Sequence, residues 1–178
     1  MQGSENRSEN HLQRCRQKNN NKSAAQAAED KRRSNMLAIG CDHGGYELKQ
    51  EILKYLDEKG IEYKDFGCDS TEAVDYPIYA RKVASAILDG TCDKGVLICG
   101  TGIGISITAN RIPGIRAALC TDCFCAEATR QHNDANILAL GGRVVGPGLA
   151  VKILDTFLNT PFSGAERHQN RINLIDAK

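Results

Sequence analysis

The chain has 178 residues with a net charge of +1, and it contains eight cysteines, five Tyr, four Phe and no Trp. No apolar run approaches the roughly 20 residues that span a bilayer, so we expect no membrane association. The near-neutral charge and the scarcity of aromatic residues also argue against a nucleic-acid partner.

Residues 1–35 differ in composition from the rest of the chain. They carry eight Lys or Arg, four Asp or Glu and almost no large apolar side chain. Such a segment buries too little surface to offset its ordering entropy, so we predict a disordered extension at 1–35 and one domain at 36–178. An alternative is that translation begins at Met36.

The cysteines bear on location and on metal binding. Residues 1–35 lack the apolar core of a secretory signal, and several cysteines lie in apolar runs, so reduced thiols in a cytoplasmic protein are expected. Cys120, Cys123 and Cys125 lie close enough to suggest a zinc site. No second Cys or His pair follows at ribbon or finger spacing, and we therefore predict no metal.

Apolar runs alternate with helical periodicities along residues 36–178. In chain order they predict a strand at 36–41, a helix at 46–59, a strand at 61–66, a helix at 78–89, a strand at 96–99 and a helix after the glycines at 100–104. They then predict a strand at 115–120, a helix at 122–131, a strand at 136–140, a helix at 147–158 and a polar helix from 164 onward. This alternation predicts an α/β fold, a three-layer Rossmann-like domain with a five-stranded parallel sheet flanked by helices.

The stretch KGVLICGTGIGIS at 94–106 joins a buried strand to a glycine turn. Gly100, Gly102 and Gly104 let a ligand approach the backbone, and the start of the next helix favours negative charge. Cys99 stands at the strand end beside this turn, where we expect a lowered thiol pKa and a base or nucleophile. The glycine spacing matches neither a dinucleotide fingerprint nor a P-loop.

Two other predicted strands are followed by side chains that can take part in catalysis or ligand binding. Asp42 and His43 follow the first strand, and Arg143 follows the fifth. Ligands of parallel α/β sheets bind outside the carboxyl ends of the strands, so we predict a site where these loops converge. The alternatives are that Asp42 only caps a helix and that His43 is an ordinary surface histidine.

Two further groups lie outside the strand ends. His132 stands in the polar run RQHND, where a residue that titrates near neutral pH can transfer protons. Arg167 and Arg171 are four residues apart, on one face of a helix, where they either clamp a phosphate or form a solvated surface.

Six segments, taken together, point to a known family. They are DHGG at 42–45, VDYP at 74–77, ICGTGIGISI at 98–107, NRIPGIRAA at 110–118, RQHNDANILALGGRVVG at 130–146 and RHQNRI at 167–172. The chain from Met36 to its C-terminus resembles type B ribose-5-phosphate isomerase, the family that also contains the two subunits of galactose-6-phosphate isomerase. Residues 1–35 fall outside the resemblance.

The resemblance implies an aldose–ketose isomerase of the pentose phosphate pathway, which interconverts ribose 5-phosphate and ribulose 5-phosphate through a cis-enediolate without metal or cofactor. It implies that Cys99 is the base between C1 and C2, and that His132 opens the furanose ring with help from Asp42. Thr101 and the turn amides would hold the enediolate oxygens. The implied substrate-binding residues are Asp42, His43, Gly100, Thr101, Gly102, Ile103, Gly104, Asn133, Arg143, Arg167 and Arg171.

Further expectations follow from the same resemblance. Some relatives use a Glu just after the glycine turn, but that position is Ile105 here, which leaves Cys99 as the candidate base. The family shares its site between two subunits, so a homodimer or homotetramer is implied. The alternatives are an isomerase of a six-carbon substrate, allose 6-phosphate or galactose 6-phosphate, and a sugar-phosphate sensor without catalysis.

Overall fold

A five-stranded parallel sheet forms the centre of the domain. The computed structural model describes residues 36–177, so the predicted disorder of residues 1–35 lies outside the described residues. The strands are β1 (Leu37–Cys41), β2 (Tyr63–Asp65), β3 (Lys94–Cys99), β4 (Ala117–Leu119) and β5 (Ile137–Gly141), in the spatial order β2-β1-β3-β5-β4. The predicted fold class is confirmed.

Six α-helices flank the sheet. They are α1 (Tyr46–Lys59), α2 (Tyr76–Leu88), α3 (Ile103–Ala109), α4 (Cys123–Asn133), α5 (Pro147–Asn159) and α6 (Glu166–Asp176). A single 3₁₀ turn at His43–Gly45 precedes α1. None of the helices in residues 36–177 is long and apolar enough to cross a membrane.

The two faces of the sheet are covered by different helices, because successive strand residues point to opposite sides. On one face, Ile39 and Ile98 pack with α1 and α5 through residues such as Ile52 and Phe157. On the other face, Leu97 and Cys99 pack with α2 and α3. Each face therefore carries its own apolar core.

The strand order reverses direction between β1 and β3, where the chain switches from one side of β1 to the other. At such a switch point the loops that follow the two strands leave in opposite directions and open a crevice. The carboxyl ends of β1 and β3 are Cys41 and Cys99, which pair close to each other through the register Cys41 to Ile98. The fold thus opens beside the residues that the sequence analysis singled out.

Candidate active site

The loops that follow β1, β3 and β5 meet at the carboxyl edge of the sheet. A Cβ added at Gly44 would lie 2.9 Å from the Gly100 nitrogen, and one at Gly142 would lie 2.6 Å from the Gly44 oxygen. The Gly142 N–H also donates to the Cys99 carbonyl across 2.8 Å. The predicted convergence of these loops is therefore present, and it requires glycine because no side chain fits at the crossings.

Cys99 is held beneath the glycine turn rather than displayed at the surface. Its side chain is 4% exposed, and its Sγ accepts a hydrogen bond from the Gly102 N–H at 3.1 Å. Gly102 has a φ of 77°, and a Cβ there would lie 2.5 Å from Cδ1 of Leu119. The turn thus places a backbone amide donor 3.1 Å from the sulfur.

The rest of the turn combines amides with one cation. The Thr101 hydroxyl accepts from the Ile103 N–H across 3.3 Å, and Thr101 is exposed. The Arg143 N–H donates to the Gly100 carbonyl at 3.0 Å. The Arg143 side chain lies over Gly100, since a Cβ there would be 3.7 Å from Nη1. A guanidinium above the half-buried backbone of Gly100 suits an anionic ligand.

Asp42 and His43 are engaged by the protein itself. Asp42 is buried, and its Oδ1 accepts from the Gly45 N–H at 3.1 Å, so it does cap the turn before α1. The half-buried His43 places Nδ1 3.2 Å from the Val74 nitrogen, whose N–H donates to it, and 3.3 Å from the Val74 oxygen. The segment before α2 therefore orients the imidazole at the edge of the site.

Tyr76 also reaches the glycine turn, although the sequence analysis did not select it. A Cβ at Gly104 would lie 2.6 Å from Cζ and 2.8 Å from the hydroxyl oxygen of Tyr76. The ring therefore covers Gly104. The available signal was its place in VDYP, directly before the proline in the first turn of α2. Ile105, directly after Gly104, is fully buried in the core.

A second group of candidate residues lies around the end of α4 and the start of α6. The rings of His132 and His168 are 4.4 Å apart between centroids. Arg167 donates through Nε to Nε2 of His168 across 3.2 Å. Arg171 follows one helical turn after Arg167, and both arginines are exposed.

Arginines also fix the segment that carries Asn133. Nε of Arg116 donates to the Asn133 carbonyl at 2.9 Å. Asp134, which has a left-handed φ of 44°, caps α4 and accepts from Arg130 Nη1 at 2.8 Å. Arg116 forms a second ion pair with Asp134 at 3.5 Å. These contacts hold a strained residue directly after His132 and Asn133.

The two groups of candidates lie at opposite edges of the sheet in one chain. Cys99 pairs with Gly141 at the carboxyl edge, and Gly95 pairs with Ile137 at the amino edge. Four residues of strand separate these pairs by about 13 Å. His132 precedes Ile137 at the amino edge, because α4 runs back from the carboxyl end of β4. One chain therefore does not bring Cys99 and His132 together.

The cysteine cluster near α4 shows no metal-binding geometry. Burial, followed by the charges of Cys125 and Asp122, raises the pKa of Cys120 to about 12. The hydrogen bond with Asp122 raises the pKa of the exposed Cys125. Within residues 36–177, no group of three or more His, Cys, Asp or Glu side chains is arranged to hold a metal ion.

Comparison with known proteins shows that this chain is similar to sugar isomerases. The family model described as Ribose/Galactose Isomerase matches residues 37–175. Escherichia coli ribose-5-phosphate isomerase B is 51% identical over 141 residues, which cover 79% of this chain and 94% of that protein. Pectobacterium atrosepticum D-erythrulose-4-phosphate isomerase is 45% identical, covering 72% and 85%. The structure of Clostridium thermocellum ribose-5-phosphate isomerase B superposes with a TM-score of 0.78 at 55% identity, covering 79% and 95%.

Proposed function

The chain belongs to the ribose/galactose isomerase family, and we propose that it interconverts ribose 5-phosphate and ribulose 5-phosphate. The observation that carries this proposal is the position of the Cys99 sulfur, 3.1 Å from the Gly102 amide and beneath a turn covered by Arg143. A family member with a thiol in that place has a base next to donors for an oxyanion. The reaction would belong to the pentose phosphate pathway in the cytoplasm.

Cys99 acts as the base in the proposed mechanism. As a thiolate it removes the C2 proton of the open-chain aldose, which gives a cis-enediolate, and it returns the proton to C1 of the ketose. Thr101 and the amides of residues 100–104 hold the enediolate oxygens, and each such donor is typically worth about 3 kcal/mol. The hydroxyl proton moves from O2 to O1 at the enediolate stage, so that aldose and ketose balance and no cofactor is required.

The remaining proposed roles divide between ring opening and anchoring. His132 donates a proton to the furanose ring oxygen, with Asp42 assisting, and Asn133 binds the sugar. His43, Arg143, Arg167 and Arg171 hold the phosphate and the sugar hydroxyls, a task for which the planar guanidinium is suited. These roles require residues from both edges of the sheet in one pocket.

A homodimer supplies both edges. We propose that the carboxyl edge of one subunit faces the His132 and Arg167 region of its partner, and a two-fold axis then builds two identical sites. Exposed apolar side chains at both surfaces support this contact: Ile103 and Ile107 are 52% and 59% exposed on α3, and Leu174 is 76% exposed on α6. Apolar groups of this kind mark interaction surfaces on soluble proteins. Two such dimers would form the homotetramer.

The substrate assignment has an alternative of the same reaction type. The family description includes galactose, so allose 6-phosphate and galactose 6-phosphate remain candidates for this chain. The test is a coupled assay of the full chain with ribose 5-phosphate and both six-carbon sugar phosphates, in the presence of a chelator. We expect the highest kcat/KM with ribose 5-phosphate and, in deuterated solvent, the incorporation of deuterium at C1 of the ribulose 5-phosphate formed. Higher kcat/KM with a six-carbon sugar would transfer the assignment, and binding without turnover would establish a sensor.

A further inference from the structure

His168 is a buried titratable residue to which the proposed mechanism gives no role. It is 4% exposed, whereas Arg167, Gln169 and Arg171 beside it on α6 are all exposed. The ring nitrogens of a buried histidine need hydrogen-bond partners, because a polar group that is buried without a partner costs free energy. The contacts of the two ring nitrogens therefore indicate which of them carries a proton.

The hydrogen bonds assign the His168 tautomer. Nε–H of Arg167 is a donor and cannot accept, so Nε2 of His168, 3.2 Å away, carries no proton. The ring proton is then on Nδ1, which donates to the Ser163 hydroxyl oxygen at 2.9 Å. The same oxygen accepts from the Ala165 N–H at 3.3 Å. His168 is therefore a neutral ring with an acceptor aimed at Arg167.

The charges around His168 favour this neutral form. Burial, followed by the neighbouring His132 of α4 and Arg167 and Arg171 of α6, lowers its pKa below the ordinary value of 6.5. The Gln131 carbonyl acts in the opposite direction. A proton on Nε2 would face the Arg167 guanidinium and break their hydrogen bond.

His168 contacts both groups that the amino edge is proposed to contribute to a neighbouring site. Its ring lies 4.4 Å from that of His132, tilted by 53°, and its Nε2 fixes Nε of Arg167. We propose that His168 is a positioning residue that holds Arg167 in its phosphate-binding orientation and packs against the ring of His132. This inference rests on the proposed function, in which Arg167 binds the substrate phosphate.

Two substitutions distinguish positioning from mere structural support. His168→Gln can place an amide oxygen near the position of Nε2, where it accepts from Arg167, but it lacks the donor to Ser163. His168→Asn can keep the donor to Ser163 but does not reach Arg167. We expect His168→Asn to raise the KM for ribose 5-phosphate about tenfold, and His168→Gln to stay within about threefold of wild type. If His168 only supported the structure, the Ser163 contact would matter more, and His168→Gln would then have the larger effect on KM.

The experiment is a double-mutant cycle on the full chain with Arg167→Ala, and Ile172→Val serves as a matched change at the other buried position of α6. We expect His168→Asn to have no further effect on KM once Arg167 is Ala, and Ile172→Val to leave KM unchanged. Additive effects of the two substitutions on KM, or equal effects of Asn and Gln, would overturn the role of His168. A normal KM in Arg167→Ala alone would instead overturn the phosphate role of Arg167, on which the inference depends.

Discussion

The backbone N–H of Gly102 donates to Sγ of Cys99 across 3.1 Å. This contact ties the proposed base to the turn that would bind the enediolate, and Cys99→Ala removes the base while the turn remains. We expect kcat to fall by about 10³-fold or more, with substrate still bound in calorimetry. Cys99→Ser should keep little activity, because a hydroxyl ionises far less readily than a thiol.

Cys92→Ala is the matched control for this substitution. Cys92 is 2% exposed in the same apolar core, but it precedes β3 and lies at the amino edge of the sheet. We expect this variant to turn over at close to the wild-type rate despite a similar loss of buried sulfur. Near-wild-type turnover in purified Cys99→Ala would remove the thiol from the mechanism.

The separation of Cys99 and His132 at opposite edges predicts complementation between inactive variants. Homodimers of Cys99→Ala and of His132→Asn should both be inactive. When the two are unfolded together and refolded at equal concentrations, half of the dimers contain one chain of each kind and hence one intact site. About a quarter of the wild-type specific activity should return, by the symmetry of a two-fold dimer.

The control is the double variant with both substitutions in one chain, mixed with wild type in the same way. It pairs an intact chain with a doubly altered one, so each mixed dimer has one altered residue in each site. Activity in that mixture should come from wild-type homodimers alone. If refolded mixtures of the two single variants stay inactive, each chain completes its own site and the shared-site proposal fails.

The fold was largely predictable from local patterns. The helix at 46–59 was predicted to the residue, because apolar spacing set its face and Gly60, with a φ of 65°, ended it. The strands expected at 61–66 and 115–120 are shorter, at Tyr63–Asp65 and Ala117–Leu119. Both lie at the edges of the sheet and pair on one side only, so the hydrogen-bonded ladder is shorter than the predicted strand.

The separation of Cys99 and His132 was less accessible from sequence. Cys99 and the glycines are contiguous, so a local pattern was sufficient to find them. The position of His132 depends on the direction in which α4 runs from β4, which a motif does not contain. The burial of Lys49 and His168 was missed as well, because both residues stand among polar neighbours on helices and resemble solvent-facing positions.

The proposed acid role of His132 predicts a defect that depends on whether the substrate is a closed ring. Ribose 5-phosphate is mainly a closed furanose and needs ring opening. Erythrose 4-phosphate, the aldose partner of erythrulose 4-phosphate, cannot form such a ring, because its C4 oxygen carries the phosphate. We expect His132→Asn to lower kcat/KM for ribose 5-phosphate at least 100-fold, the typical contribution of a general acid. For erythrose 4-phosphate the loss should stay within about tenfold, because no ring has to be opened.

Initial rates of ketose formation from both aldose phosphates measure this difference. Gln131→Ala, one residue away on the same helix, is the matched control and should affect the two substrates equally. Equal losses with both substrates for His132→Asn would assign the residue to binding or to the proton transfer between carbons.

We expect replacement of the buried Lys49 to have a large effect on the free energy of unfolding. Its ammonium, 2% exposed, donates to Asp65 and to the Cys68 carbonyl, each at 2.7 Å. Burial alone would lower the pKa of Lys49, but the hydrogen bond with Asp65 and the nearby Cys41 raise it on balance, so the amine remains charged. Lys49→Met should lower the free energy of unfolding by about 3 kcal/mol, because it leaves the buried Cys68 carbonyl and the partly exposed Asp65 carboxylate without their donor.

Urea unfolding at neutral pH measures this loss, and Lys54→Met on the same helix serves as the control. Lys54 is exposed, so its substitution should change the free energy of unfolding by less than about 0.5 kcal/mol. A loss in Lys49→Met as small as that in Lys54→Met would show that the buried contacts contribute no net stability.

Because of the raised pKa of Cys120, we expect the free energy of unfolding to fall at alkaline pH. Burial, followed by the charges of Cys125 and Asp122, raises its pKa from 9.0 to about 12 in the folded chain. As the pH rises, the thiol ionises first in the unfolded chain. Its contribution to the free energy of unfolding is therefore fully present below pH 9.0 and declines as the pH rises towards 12. Cys120→Ala should weaken this decline, while Cys41, whose pKa is likewise raised to about 12, maintains part of it.

Urea unfolding in reducing buffer at about pH 8 and about pH 10.5 measures the decline. Val145→Ala, a truncation in the same apolar cluster, is the control, because it removes volume without removing a titrating group. Both variants are expected to be destabilised at the lower pH through the cavity they create. Only Cys120→Ala should lose less stability than wild type between the two pH values. If its decline matches that of wild type and Val145→Ala, the Cys120 thiol does not ionise differently in the folded and unfolded chains.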